Sequence, residues 1–92
     1  MIPKTFTIFG QEYKVSFVDT IDSEGNVGEC VPMTNEIKIK NNLPVSVQEQ
    51  IFFHEVTHCI LIALSYDKLN NSETFVDRVG QCLHQIFKTS TY

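Results

Sequence analysis

The sequence predicts an α+β domain: a small antiparallel or mixed sheet of three to four short strands packed on two helices. Three observations lead there. Apolar residues recur with period two up to about residue 40, the spacing of a half-buried strand. From residue 46 they fall three and four apart, the spacing of helices. The chain is 92 residues long, room for one core, since domains commonly run to about 100–150 residues. A single domain over 1–92 is expected, strand-rich over 1–43 and helical over 44–92. At this size a hydrophobic core is a thin margin, and a bound metal or close packing would help it.

Phe6, Ile8, Tyr13, Val15 and Phe17 alternate with Thr7, Lys14 and Ser16 and are interrupted at Gly10-Gln11. That pattern predicts a hairpin turning at the glycine. Residues 19–26 are polar and turn-rich and predict a loop. Its acids Asp19, Asp22 and Glu24 lack the twelve-residue ligand spacing of a calcium loop. Residues 27–33 predict a third strand, which Pro32 confines to an edge or to its own end, because proline offers the ladder no N–H. Thr34-Asn35 is a turn signal, and Glu36-Ile37-Lys38-Ile39-Lys40 alternates as a fourth strand.

Pro44 followed by Ser46-Val47-Gln48-Glu49 has the form of a capping box. No Gly or Pro interrupts the chain from there to Tyr66, so one long helix is expected. Asn70-Asn71-Ser72-Glu73 is a second start signal, with an acid three places after a possible cap. It opens a helix to about Lys88 with Phe75, Val76, Val79, Leu83, Ile86 and Phe87 on its apolar side. Gly80 inside that helix costs up to about 1 kcal/mol against alanine, and it marks a close approach to the first helix.

Charge and composition exclude several functions. Seven basic against eleven acidic residues give a net charge of −4, which disfavours nucleic acid as a partner and a polybasic membrane-surface role. Met1-Ile2-Pro3-Lys4-Thr5 lacks the apolar stretch of a secretory leader. The longest apolar run, residues 59–64, is six residues, too short for a bilayer. A cytoplasmic location without membrane contact is therefore expected. Cys30, Cys59 and Cys82 are an odd number without metal-ribbon spacing, and are expected to be buried, reduced thiols. No Gly-rich phosphate loop occurs. The obvious histidines are already engaged elsewhere, so a serine or cysteine nucleophile lacks an oriented base.

Those histidines lie in His54-Glu55-Val56-Thr57-His58. Four residues apart on a helix, two imidazoles project from one face and can reach one cation, for which Zn²⁺ is suited. Glu55 stands beside the first ligand, where its carboxylate can act as general base on a metal-activated water. The surrounding helix is apolar on most sides, and burying two imidazoles and a carboxylate there is costly unless they are paired or coordinated. A catalytic zinc usually takes three protein ligands. Glu73, fifteen residues after His58, is the expected third, returned by the antiparallel second helix. Asp77, one turn on, is expected to accept the free N–H of a ligating histidine. Two alternatives stay open: Glu73 as a capping-box carboxylate only, and Asp77 as the ligand with Glu73 as the cap.

His54-Glu55-Val56-Thr57-His58 followed by Glu73-x-x-x-Asp77 resembles the gluzincin pattern of thermolysin-like metallopeptidases. The whole chain is similar to small phage- or mobile-element-encoded zincin-like proteins related to the ImmA/IrrE peptidases, with the specific likeness confined to residues 49–77. The resemblance implies a minimal zincin core, Glu73 as the third ligand and Asp77 as the group orienting a histidine. It also implies that the strand before the motif helix, Glu36 to Lys40, lies along the cleft and pairs with an extended peptide or protein substrate. If phage-encoded, the chain would act in the host cytoplasm. Larger relatives carry His or Tyr groups that stabilise the oxyanion; here Tyr13, Tyr66, Tyr92 and His84 are the local candidates, none at a telling spacing. His84 reads as a structural histidine and Cys59 as core. The expected function is a zinc-dependent metallopeptidase; the alternative is a catalytically silent zincin-like module that binds protein and uses its zinc as a structural staple.

Overall fold

The computed structural model describes residues 2–21 and 25–92; Asp22 and Glu24 of the acidic loop lie outside them. Four strands form one mixed sheet: β1 (Thr5–Ile8), β2 (Gln11–Val18), β3 (Gly28–Val31) and β4 (Glu36–Lys40). Their spatial order is β1-β2-β4-β3. β1 and β2 form the expected hairpin, antiparallel and turning through Phe9 and Gly10, both at positive φ. β2 runs parallel to β4, and β3 antiparallel to it. β4 is thus an interior strand with both edges paired. It cannot take a peptide along its length, which corrects the expectation for Glu36 to Lys40. The sheet edges are β1 and β3, and β3, the edge beside α1, is ended by Pro32 in a short 3-10 turn.

Ile37 and Ile39 of β4 are fully buried. Their neighbours in register are Val15 and Cys30 for Ile37, and Phe17 and Gly28 for Ile39. Because strand side chains alternate, these residues face the helices together, while Glu36, Lys38 and Lys40 face the opposite side. Tyr13, Ile51, Phe52 and Cys59 complete the buried cluster.

Helix α1 (Val45–Ala63) packs against β3 and β4 on one side and against α3 on another, which explains why its sequence is apolar nearly all round. The capping box does not form: Pro44 is the N-cap, Ser46 lies inside the helix, and Glu49 reaches His84 at 3.1 Å. His84 also stacks on Phe53, 5.8 Å between ring centres, and so holds α1 to α3. The helix ends on Ser65 at φ +60°, with Tyr66 N–H donating to Leu61 O and Ser65 N–H to Ile62 O. This is a Schellman closure, made here without glycine. A one-turn helix α2 (Asp67–Asn70) interrupts the expected loop, and α3 (Glu73–Thr89) comes after it.

The buried residues of α3 are Val76, Gly80 and His84, and Val79 and Leu83 of the expected apolar side are half-buried beside them. Phe75, Ile86 and Phe87 are exposed, with Phe87 against the Phe53 ring. Cys82 is exposed as well, which corrects its assignment to the interior. Glycine at 80 is required by proximity. A Cβ there would stand 3.0 Å from His54 Cα and 3.1 Å from His54 N, and backbone cannot rotate aside. No helix among the described residues is long and apolar enough to cross a membrane.

Gly80→Ala sets helix propensity, a gain of up to about 1 kcal/mol, against overpacking, a loss of roughly 1–3 kcal/mol. The backbone contact makes overpacking the larger effect. Urea unfolding is expected to show a net loss of stability; a variant as stable as the parent would mean that the helices separate at no cost.

Candidate metal centre

One helical turn separates His54 from His58 on the face of α1 that looks towards α3, and their ring centres are 5.1 Å apart. Glu73, the first residue of α3, stands between them. Its Oε2 is 3.3 Å from His54 Nε2 and its Oε1 is 3.3 Å from His58 Nε2. Tetrahedral bonds of about 2.1 Å imply donor–donor edges of about 3.4 Å. One atom from each of the three side chains lies within 4.8 Å of the others, so the donor set fits a single small divalent ion.

Local structure explains why Glu73 is available. Ser72 is the N-cap of α3 and its Oγ accepts from Phe75 N–H at 3.3 Å. Capping therefore falls to Ser72, and Glu73 in the first turn is turned to the histidines, where the helix dipole also favours a carboxylate. The capping-box alternative for Glu73 is not what forms. Asp77 lies behind the His54 ring, with Oδ1 3.6 Å from Nδ1, and its other oxygen accepts from Gln81 Nε2 at 2.9 Å. The side chains brought together are thus His54, His58 and Glu73, with Asp77 outside them.

Asn70 is a residue that sequence reasoning missed. His58 Nδ1–H donates to Asn70 Oδ1 at 2.8 Å. An amide oxygen only accepts, so the contact keeps the proton on Nδ1 and leaves the Nε2 lone pair towards Glu73. Nothing in the spacing announced it, since the contact depends on the one-turn helix α2. In the sequence Asn70 was visible only as a possible cap.

Glu55 is 8% exposed and lies under the edge strand. A Cβ at Gly28 would overlap Ile51 and stand 3.2 Å from Glu55 Oε2, so only glycine lets β3 lie this close. Burial pushes the Glu55 carboxyl above its ordinary range; the His54 and His58 charges oppose that shift, and Glu73 and Glu29 reinforce it. Two adjoining hollows of about 340 and 410 Å³ share Gly28, His54, Glu55 and Glu73 in their walls. The cleft therefore runs beside the free edge of β3. Tyr13, Tyr66, Tyr92 and His84 line neither hollow.

No protein-family model, curated protein or solved structure matches the chain.

A raised carboxyl pKa means that the folded state binds the Glu55 proton more tightly than the unfolded chain. Stability then falls as pH rises from the ordinary value, about 4.3, through the raised one, and the cost of ionisation persists above it. In chelator-treated protein, Glu55→Gln removes that cost. Its thermal midpoint is expected to exceed the parent's at pH 7, with the difference closing below about pH 4. An equal difference at both pH values would remove burial of the ionised carboxylate as its cause.

Proposed function

We propose that the protein is a zinc-dependent peptidase in which His54, His58 and Glu73 hold the ion and Glu55 carries the proton. The observation that supports this most is the meeting of two imidazole Nε2 atoms with one carboxylate, beside a buried glutamate that opens into the same cleft. The resemblance of His54-Glu55-Val56-Thr57-His58 and Glu73-x-x-x-Asp77 to the gluzincin pattern points the same way.

When bound, zinc supplies Lewis acidity for a substrate carbonyl and for water. The chain's residues do the rest. Asn70 holds the outer nitrogen of His58 and so aims the inner one, while Asp77 places a negative charge 3.6 Å behind the outer nitrogen of His54. Glu55 takes a proton from the attacking water and returns it to the departing amine. Its burial beside the two histidines keeps the carboxyl within the cleft where that exchange takes place. The β3 edge offers main-chain N–H and C=O groups to an extended peptide, a role assigned here to Gly28–Val31 in place of the interior strand β4.

A second reading, a protein-binding module whose zinc is structural, rests on one observation: none of Tyr13, Tyr66, Tyr92 and His84 reaches the cleft to stabilise an oxyanion. Elemental analysis of protein purified without added metal is expected to find about one zinc per chain, the count set by a three-ligand site. It also separates zinc from iron, which the same donors suit. Glu55→Gln should keep the ion and lower hydrolysis of an extended-peptide library by about 10²-fold or more. A parent protein with full zinc and no hydrolysis would favour the module, and one that retains no zinc would sink both readings. Asn70→Ala is expected to weaken zinc binding by about 10–100-fold, read by competition with a chromophoric chelator; unchanged affinity would deny Asn70 its role at His58.

A further inference from the structure

Cys30 and Cys59 are 29 residues apart in sequence, yet their Sγ atoms are 2.9 Å apart. Cys30 sits on β3, in the row that faces α1 beside Ile37. Cys59 is on α1, directly after His58, and is 1% exposed. Both are free thiols. They differ in access: Cys30 is half-buried and lines the cleft, while Cys59 lies behind it in the core. A disulfide bond is about 2.05 Å long, so bonding requires the sulfurs to close by less than 1 Å. Cys82, on α3, is exposed and forms no part of this pair.

We propose that Cys30 and Cys59 form a reversible dithiol–disulfide pair that clasps the β3 edge to the helix carrying the two histidines, with hydrogen peroxide as oxidant. The peroxide enters through the cleft and meets Cys30 first. An S–O bond forms at Cys30, the O–O bond breaks, and the thiol proton leaves with the displaced oxygen as water. The Cys59 sulfur then attacks the Cys30 sulfur. The S–S bond forms, the S–O bond breaks, and the Cys59 proton leaves with that oxygen as a second water. Two thiols are oxidised by two electrons and one peroxide is reduced. A dithiol reductant reverses the bond by exchange. Neither sulfur is needed to hold the ion, so the clasp stands apart from the peptidase reading.

The test treats the full chain with stoichiometric hydrogen peroxide, blocks the remaining thiols with a maleimide, and maps the digest by mass spectrometry. Alkylatable thiols should fall from the three in the sequence to Cys82 alone, with the Cys30 and Cys59 peptides linked and dithiothreitol restoring both. The thermal midpoint should rise by on the order of 10 °C, as a cross-link closing a loop of this length constrains the unfolded chain. Cys82→Ser should behave alike, whereas Cys30→Ser should leave Cys59 reduced. Three alkylatable thiols after treatment would overturn the proposal. So would a cross-link through Cys82, or Cys30 carried to the sulfinic acid with Cys59 still a thiol.

Discussion

The site depends on how closely two helices approach. At Gly80 the backbone of α3 lies against the backbone of α1 at His54, with no side chain between them. Seven residues earlier on α3, about two helical turns away, stands Glu73. A wider crossing would carry that carboxylate away from both imidazoles together, because they share one face. Small-residue packing, a structural matter by itself, thus determines whether three donors converge. The same approach aligns His84 with Glu49, so a second polar contact pins the helices at the other end of their interface.

α1 is enclosed by the sheet and by α3, and its polar side chains must find partners there or lie towards the cleft. Thr57 donates back to Phe53 O at 2.8 Å, His58 is held by Asn70, and Glu49 meets His84. Glu55 differs from these. It opens into a hollow beneath a strand edge and bears the desolvation that raises its carboxyl. Most polar groups on this helix are there to be satisfied, and one is placed in the wall of the cleft.

Local patterns carried most of the fold. The alternation over β1, β2 and β4 and the punctuation at Gly10, Pro32 and Asn35 needed only neighbouring residues, and the strands formed where expected. Sheet order did not come from such patterns. The insertion of β4 between β2 and β3 is a long-range pairing, and it moved the open edge from Glu36–Lys40 to Gly28–Val31. The capping box at Ser46 failed because Glu49 has a better use across the helix interface. The apolar side of α3 held at Val76, Val79 and Leu83 but not at its ends, because the facing surface accepts Gly80 and His84 and leaves Phe75 and Ile86 exposed. At the site, His54 and His58 were legible from helical periodicity, and Glu73 from an antiparallel return. Asn70 and the Cys30–Cys59 contact were not, since each joins segments whose meeting no local spacing encodes.

The left-handed residue that stops α1 also governs the nine residues between that helix and α3. Ser65 turns the chain sharply, and α2 winds it once before Ser72 starts α3. Within this span lies the amide that steadies His58, and at its end the carboxylate. The connector thus works as a ruler, since its length and its turn at Ser65 set where α3 begins and so where Glu73 meets the imidazoles.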